Sequence, residues 1–221
     1  MSRRQRFDDW PERYDRWFAT PVGKAVLSYE RALVLDMLQP AAGDRLLDAG
    51  SGTGIFTRAF LAAGARVTGV DIAFPMLRRA AEQTAFPAVV ADMQALPFVD
   101  GFFDKTVSVA ALEFIADEKR AVAELFRVTK AGGIVVVATL NSLSPWAVRR
   151  LEKARHDRSS IFSQVWFRSP RQLLEAAPLA GGVRTAVHFG KEADPAAIDR
   201  IEKAGQGQET GAFVAARWVK P

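Results

Sequence analysis

Three glycines separated by single residues follow a short, mostly apolar run that contains one acidic residue. The run is Leu-Leu-Asp-Ala at 46–49, and the glycines are Gly50, Gly52 and Gly54. Because glycine has no Cβ, this backbone can turn tightly with φ > 0 and can let a ligand lie directly against it. Residues 55–61 then continue at helical spacing. A glycine turn between a strand and a helix N-terminus is a place where small, polar, partly anionic cofactors bind.

Three aspartates stand at the ends of predicted strands. Asp48 precedes the glycine turn, Asp71 comes about 20 positions later, where a carboxylate holds a ribose diol, and Asp92 ends the predicted third strand. An ionised carboxylate only accepts hydrogen bonds, so it suits a diol or an amine. Structural roles are the alternatives: Asp48 as a cap of the following turn, Asp71 as a helix N-cap, and Asp92 in an Asx turn.

The elements that would position these side chains alternate regularly along the chain. Strands are predicted over 45–49, 65–70, 88–91, 103–111, 134–140, 183–189 and 212–218, and helices between the first five over 54–63, 74–84 and 117–128. Such alternation favours an α/β fold with a parallel sheet covered by helices on both faces. A ligand is then expected in the crevice above the carboxyl ends of the strands.

A helical segment precedes the alternation, and the regular pattern breaks after Asn141. The chain is interpreted as one domain over residues 1–221. Its parts are a helical cap at 1–40, a cofactor-binding core at 41–140, an insertion on the substrate side at 141–168 and the end of the sheet at 169–221.

Composition narrows the class of protein. About half of the 221 residues are apolar and a quarter are charged, which excludes a disordered chain and a membrane protein. The absence of cysteine excludes disulfides, thiolate metal sites and cysteine nucleophiles, and it fits a cytoplasmic protein. The basic residues 1–6 lead into a charged aromatic stretch, so no secretory signal is expected. A net charge of +5 permits an acidic partner, although solubility alone explains it.

Two classes of nucleotide-like cofactor fit the glycine turn. The dinucleotide fingerprint G-x-G-x-x-G needs a third glycine at position 55, where this chain has Ile55. The pattern here is G-x-G-x-G, with Asp48 before it and Asp92 at the end of the third strand. These features argue against a nicotinamide-dependent oxidoreductase, which is kept as an alternative.

With these features the sequence resembles the class I S-adenosylmethionine (SAM)-dependent methyltransferases. More narrowly, it resembles the group that methylates small molecules and includes the ubiquinone/menaquinone-biosynthesis enzymes. The resemblance covers residues 7–140 and is weak afterwards. The motifs that carry it are the segments 46–54, Val70-Asp71, Ala91-Asp92-Met93, Leu96-Pro97-Phe98, Phe103-Asp104, Arg127-Val128 and Ala131-Gly132-Gly133. The resemblance implies a doubly wound, Rossmann-like, seven-stranded sheet, mostly parallel with the last strand antiparallel, plus an N-terminal helical cap.

The resemblance also implies roles in binding SAM and its product S-adenosylhomocysteine. The glycine turn would lie under the amino-acid end, with Asp48 near the ammonium, Asp71 on both ribose hydroxyls and Asp92 on the adenine amino group. Ala110 would lie near the sulfonium, and Ile72 against the adenine. The expected SAM-contacting residues are Tyr14, Asp48, Gly50, Ser51, Gly52, Gly54, Asp71, Ile72, Met76, Asp92, Met93 and Ala110.

Candidates for the methyl acceptor lie on the cap and beyond the fourth and fifth strands. Glu113 is the best-placed carboxylate, as a general base or a ligand of a substrate cation, with a solvated or capping role as the alternative. Tyr14 is a second catalytic candidate. Trp17, Phe18 and Asn141 are expected substrate contacts, although the aromatic stripe could also be a helix-packing face.

The remaining polar residues give weaker signals. His156 and His188 have no partner visible in the sequence, and no spacing of histidine, aspartate and glutamate predicts a metal site. The basic segment 149–158 has three interpretations: a solvated face, recognition of an anionic substrate, or contact with a membrane or RNA. A nucleic-acid partner is disfavoured. Methyltransferases that act on the amino groups of nucleic-acid bases carry [N/D]-P-P-[Y/F] after the fourth strand, where residues 111–114 of this chain read Ala-Leu-Glu-Phe.

Two functional hypotheses follow. The first is a SAM-dependent methyltransferase that transfers a methyl group to oxygen, carbon or nitrogen of a small molecule by in-line displacement. The second is a SAM-binding protein without transferase activity, with a regulatory or structural role. Peripheral membrane contact and a monomeric or homodimeric state both stay open.

Overall fold

The computed structural model describes residues 11–156 and 161–221, and its centre is a seven-stranded sheet. The strands are β1 Arg45–Ala49, β2 Arg66–Asp71, β3 Ala88–Val90, β4 Phe103–Val109, β5 Thr129–Leu140, β6 Gly182–Ala186 and β7 Phe213–Val219. Their order is β3-β2-β1-β4-β5-β7-β6. β7 is antiparallel to both neighbours, and the other recorded pairings are parallel. The predicted fold class, with the last strand antiparallel, is confirmed.

Helices cover both faces of this sheet and its carboxyl edge. They are α1 Pro11–Ala19, α2 Pro21–Leu38, α3 Thr57–Ala62, α4 Phe74–Gln83, α5 Glu118–Val128, α6 Pro145–His156, α7 Pro170–Leu174 and α8 Ile198–Gly205. Short 3-10 helices span Leu112–Phe114, Ile161–Gln164 and Pro195–Ala197. Within the described residues, no helix is both long enough and apolar enough to cross a membrane.

Two apolar layers form because side chains alternate between the faces of each strand. In β7, Phe213 packs with α2 and α3 on one face, whereas Val214 belongs to the layer under α5 and α7 on the other. In β1, Leu46 and Leu47 divide in the same way. All four side chains are fully buried. A sheet buried on both faces holds the carboxyl ends of its central strands rigidly at one edge.

Several element boundaries differ from the predicted ones, each at a residue with positive φ. α3 begins at Thr57 rather than at Gly54, because Gly54 has φ +77° and cannot belong to a right-handed helix. β4 ends at Val109 because Ala110 has φ +51°. β5 begins at Thr129 rather than at residue 134, because it continues through Gly132 (φ +74°), where its pairing with β4 shifts register.

The helices at the start of the described chain lie over the carboxyl edge of the sheet. Thr20 caps α2 by accepting a hydrogen bond from the backbone of Gly23 (3.0 Å). Gly23 is required there, since a Cβ would lie 2.1 Å from the carbonyl oxygen of Trp17. α1 and α2 are thus joined closely. Residues 1–10 of the predicted helical cap lie outside the described residues, and the division of the chain at residues 40, 140 and 168 stays a prediction.

Candidate functional site

A cavity of about 550 Å³ opens where β1 and β4 diverge at the carboxyl edge of the sheet. This is the topological switch point, at which ligands bind in open α/β sheets. The lining comes from the strand ends, the glycine turn, α1, α2 and α6. Predicted site residues in the lining are Trp17, Phe18, Asp48, Gly50, Ser51, Gly52, Asp71, Ile72, Met76, Asp92, Met93, Ala110 and Glu113.

The glycine turn forms one wall of the cavity, and it has no room for a side chain at Gly50. Gly50 has φ +80°, and a Cβ built there would lie 2.4 Å from the Cβ of Ala111. Gly52 has φ +55°. The amides of Gly50 and Ser51 donate to the carbonyl of Val70 at 2.7 and 2.9 Å, which fixes the turn against β2. The bare backbone therefore lies at the cavity wall, where a ligand can contact it.

The Asp71 carboxylate at the end of β2 is held by backbone amides. Gly52 N–H donates to Oδ2 at 2.9 Å, and Ala73 N–H donates to Oδ1 at 2.8 Å. Burial raises the pKa of Asp71, while these amide hydrogen bonds lower it. Each oxygen keeps a further lone pair, so the oriented carboxylate can accept hydrogen bonds from a diol in the cavity.

Asp48 is 1% exposed and lines the cavity behind the turn. Its Oδ2 accepts a hydrogen bond from the hydroxyl of Thr57 at 2.6 Å. Burial raises the pKa of Asp48 to about 7, the Thr57 hydrogen bond opposes this, and the nearby Asp71 charge adds to it. A cationic ligand group would stabilise the ionised form, so the site is suited to an ammonium.

The residues after β3 offer a less enclosed wall. Asp92 accepts a hydrogen bond from the backbone of Gln94 at 2.8 Å, as in the predicted Asx turn, and it also lines the cavity. The other oxygen, Oδ2, accepts a 3.3 Å hydrogen bond from the Gln94 side chain and keeps a further lone pair, so the two roles are compatible. Ile72 is 46% exposed at the same end, beside the buried Met76 and Met93. An exposed aliphatic side chain in a cavity suits the face of a flat apolar ring.

Ala110 connects this wall with the opposite half of the cavity. It has φ +51°, a left-handed conformation that costs a non-glycine residue about 1–2 kcal/mol. Its amide donates to the carbonyl of Ala138 at 2.9 Å, which holds the residue on β5. Such strain is typical of ligand-binding positions.

The opposite half of the cavity, called here the acceptor chamber, is bounded by Trp17, Glu30, Glu113, Arg150 and Phe162. Glu113 is 1% exposed, and its Oε2 accepts a hydrogen bond from the Thr139 hydroxyl at 2.8 Å. Burial raises the pKa of Glu113. The predicted Glu113 therefore lies in the cavity as a buried carboxyl and not on a solvated surface.

Two further charged residues line the chamber: Glu30, which the sequence interpretation missed, and Arg150, which it included only within the basic segment 149–158. Glu30 is 6% exposed on α2, and burial raises its pKa to about 8. Arg150 on α6 lies over the rings of Trp146 and Phe162, with its guanidinium carbon 5.2 and 5.4 Å from the ring centroids. Trp146 in turn stacks on Trp17 at 6.3 Å and 12°. This row of stacked groups joins α1 to α6 across the chamber.

A buried arginine supports the loop that carries Glu113. Arg168 donates to the carbonyls of Leu112, Ile115 and Trp166 at 2.9, 2.8 and 2.6 Å, and it forms an ion pair with Glu118 at 3.1 Å. The loop after β4 therefore has a fixed shape, and Glu113 has a fixed position.

Some predicted site residues do not line the cavity. Asn141 is fully buried, and its amide donates to the carbonyls of Glu209 and Gly211 at 2.6 and 2.7 Å, so it joins the end of β5 to the start of β7. Gly54 contributes to the turn only through its backbone, with Phe86 beside it. Tyr14 belongs to α1, and its side chain lies outside the described part of the structure.

The cavity fits SAM by the chemistry of its walls. Glycine backbone, two aspartates and an aliphatic side chain lie where a methionine ammonium, a ribose and an adenine would be held, and the buried Ser51 hydroxyl has no partner in the described structure. Among residues 11–156 and 161–221, no group of three or more histidines and carboxylates is arranged to hold a metal ion.

Comparison with known proteins shows which proteins the chain resembles. Residues 47–137 match the family model described as a methyltransferase domain. A structure from Thermotoga maritima, a SAM-dependent methyltransferase described as a possible histamine N-methyltransferase, has the same fold, with a TM-score of 0.75 over 98% of both chains at 24% identity. The resemblance to SAM-dependent methyltransferases is therefore confirmed.

Two curated relatives have different substrates in their names. A malonyl-(acyl-carrier protein) O-methyltransferase of Pseudescherichia vulneris is 39% identical over 58% of this chain and 55% of its own length. A demethylmenaquinone methyltransferase of Thermobifida fusca is 34% identical over 62% of this chain and 60% of its own length. The chain thus spans little more than half the length of these relatives, and they agree on methyl transfer but not on the acceptor.

Proposed function

We propose that this protein is a SAM-dependent methyltransferase acting on a small-molecule acceptor. The observation that carries the proposal is the amide-held carboxylate of Asp71 beside the glycine turn, in a cavity that continues into a separate acceptor chamber. A donor site alone would need no such chamber. The methyltransferase match of residues 47–137 agrees with this assignment.

The donor end is assigned by chemistry. Asp71 accepts hydrogen bonds from the ribose hydroxyls, Asp48 holds the ammonium, and Asp92 accepts from the adenine amino group. Ile72 packs on the adenine, and the bare backbone of Gly50 and Gly52 lies under the amino-acid end, with Ser51, Met76 and Met93 beside them. When bound, SAM supplies an electrophilic methyl group that a nucleophile takes by in-line displacement.

The acceptor chamber positions the nucleophile and excludes water from it. Trp17 and Phe18 form its cover, and Glu113 and Glu30 are the carboxyls within it. A carboxyl whose pKa lies near the working pH is suited to general-base catalysis. Burial raises the pKa of Glu30 to about 8, so Glu30 fits that role, and Glu113 is the second candidate. A base is needed only for an acceptor that must lose a proton.

The names of the two relatives suggest acceptors of different kinds, a malonyl group on a carrier protein and a quinone precursor. A cytoplasmic location is proposed because a sequence without cysteine fits a reducing compartment. The alternative function, SAM binding without transfer, shares the donor end and differs only in whether the chamber supports turnover.

Two measurements test the proposal. Calorimetry should show binding of SAM and S-adenosylhomocysteine and none of NADH. Incubation with SAM tritiated on the methyl group and a metabolite extract should then give a labelled small molecule, with the Asp71→Ala variant as the control. Tight SAM binding without labelled product in any extract would favour the non-enzymatic alternative, and binding of NADH in place of SAM would refute both.

A further inference from the structure

Arg150 differs from the other basic residues of α6 in its position. Trp146, Ala147 and Ala154 are buried, and Arg150 lies between them on the same helix face, four residues from Trp146. Arg149 and Lys153 point to solvent. The side chain of Arg150 lines the acceptor chamber instead.

The guanidinium of Arg150 is positioned by aromatic rings and not by hydrogen bonds. It lies over Trp146 and Phe162, and stacking leaves the N–H groups at the edge of a guanidinium free to donate. Within the described residues, the Nη1 atom of Arg150 is buried without a hydrogen-bond partner. A buried donor without a partner is destabilising, and more so when it is charged.

Arg168 shows what a structural arginine looks like in the same molecule. Its guanidinium donates to three backbone carbonyls and to Glu118. Both arginines lie near the loop after β4, yet only Arg168 has its donors satisfied. The contrast indicates that the donors of Arg150 are kept for a group that enters the chamber.

The charges around Arg150 leave room for an anion. The carboxyls that face it are Glu30 from α2 and Glu113 from the loop after β4. Burial holds Glu30 largely neutral at pH 7, since its pKa is about 8, and Glu113 is tied to Thr139. A neutral carboxyl is also a hydrogen-bond donor. The rest of the wall is apolar and includes Val26, which is buried, and Leu140.

Building on the proposed function, we infer that Arg150 is the recognition site for a carboxylate group of the methyl acceptor. The geometry fits a planar anion that meets the free edge of the guanidinium in a two-point contact, with an apolar body against the aromatic and aliphatic walls. The acceptor class is therefore a small carboxylic acid, and Arg150 is a binding residue that selects for it.

The test uses three fluorinated probes of one shape and different charge. Binding of 4-fluorobenzoate, 4-fluorobenzyl alcohol and 4-fluorobenzylammonium is followed by fluorine NMR on the full chain, with and without saturating S-adenosylhomocysteine. The wild-type protein should bind the benzoate about tenfold or more tightly than the alcohol. Arg150→Met should remove this preference, and Arg150→Lys, which keeps the charge without the planar fork, should retain part of it. Arg149→Met, a change of the neighbouring exposed arginine, should leave the preference intact.

The outcomes separate this inference from the proposed function. Equal binding of the three probes, preference for the ammonium, no binding of the benzoate, or an unchanged preference in a folded Arg150→Met variant would overturn the carboxylate site. Failure of S-adenosylhomocysteine to bind would instead refute the methyltransferase proposal, and the probe titrations without it would still report on Arg150. Circular dichroism of each variant confirms that a lost preference does not arise from unfolding.

Discussion

The two ends of the cavity are built in different ways. At the donor end, Asp71 and the glycine turn are fixed by backbone hydrogen bonds that come from adjacent strands. In the acceptor chamber, Glu30 and Arg150 come from separate helices, and within the described chain the Nη1 atom of Arg150 is buried without a hydrogen-bond partner. The donor end is thus stabilised by its own fold, whereas the chamber holds polar groups at a cost in stability. This difference agrees with one end shaped for a constant ligand and one for a particular acceptor.

The largest expected effect is at the donor end. Asp71→Ala removes the acceptor of the proposed ribose contacts, and SAM binding should weaken by on the order of 2–4 kcal/mol, about 30- to 1,000-fold. Calorimetric titration with SAM measures it. Asp36→Ala, at a surface ion pair with Arg184, is the control and should bind normally. An unchanged dissociation constant would remove Asp71 from the site.

The next largest effect tests whether the burial of Glu30 in the acceptor chamber lowers the stability of the protein. Burial raises the pKa of Glu30 from 4.5 to about 8. Unfolding then releases a proton between these values, so wild-type stability falls as pH rises from about 4.5 to about 8. Glu30→Gln has no such proton to release. The free energy of unfolding of this variant, relative to that of the wild type, should therefore rise by on the order of 2–4 kcal/mol between pH 5 and pH 8.5.

Urea unfolding of both proteins at several pH values measures this gain. Glu175→Gln, at an exposed ion pair with Arg171, is the matched control. A constant difference between wild type and Glu30→Gln across the pH range would show that Glu30 is not held neutral by the fold.

A smaller effect concerns Asp48. Burial raises its pKa to about 7, and the proposed ammonium contact needs the ionised carboxylate. S-adenosylhomocysteine should therefore bind about tenfold more tightly at pH 7 than at pH 5.5. Calorimetry at both pH values tests this, and Asp48→Asn should bind with little pH dependence. If that variant keeps the full slope, another group is responsible, and Asp71 is the first to examine.

The smallest effect concerns the cover of the chamber. Trp17→Leu removes the stacking on Trp146 and on Phe18, and thermal unfolding should report a loss of about 1 kcal/mol. Trp166→Leu is the control, since that side chain is 44% exposed and has no described ring contact. An equal loss in both variants would mean that the stacked row contributes nothing specific.

The donor end could be predicted because its residues are close in sequence and stand at strand ends. Apolar runs that predict strands precede Gly50, Gly52 and Asp71. The location of these residues at one edge of the sheet then follows from the topology. Boundaries were predicted less well at residues with positive φ. Ala110 is such a residue, and nothing in its type signals a left-handed backbone.

The acceptor chamber was harder to predict, although a signal was present. Glu30 interrupts a buried stripe at helical spacing with Val26, Leu33 and Met37. A charged residue on the apolar face of a helix is a candidate for function, and Arg150 beside Trp146 fits the same rule. The basic segment was interpreted as a whole: the solvated face suits its exposed members, and recognition of an anionic substrate is the interpretation that is proposed for Arg150. Which helices meet over the cavity depends on packing between distant segments.

The attachment of α1 has a kinetic consequence. Asp15 accepts hydrogen bonds from Thr53 and Gln83 and pairs with Arg79, all on the donor side. Two residues further on, Trp17 stacks on α6 at the acceptor side. Any displacement of α1 breaks both sets of contacts together. The ligands of the donor side and of the acceptor side should then both exchange through displacement of α1. The rate constant of that displacement would limit both the departure of products and the entry of the next substrates.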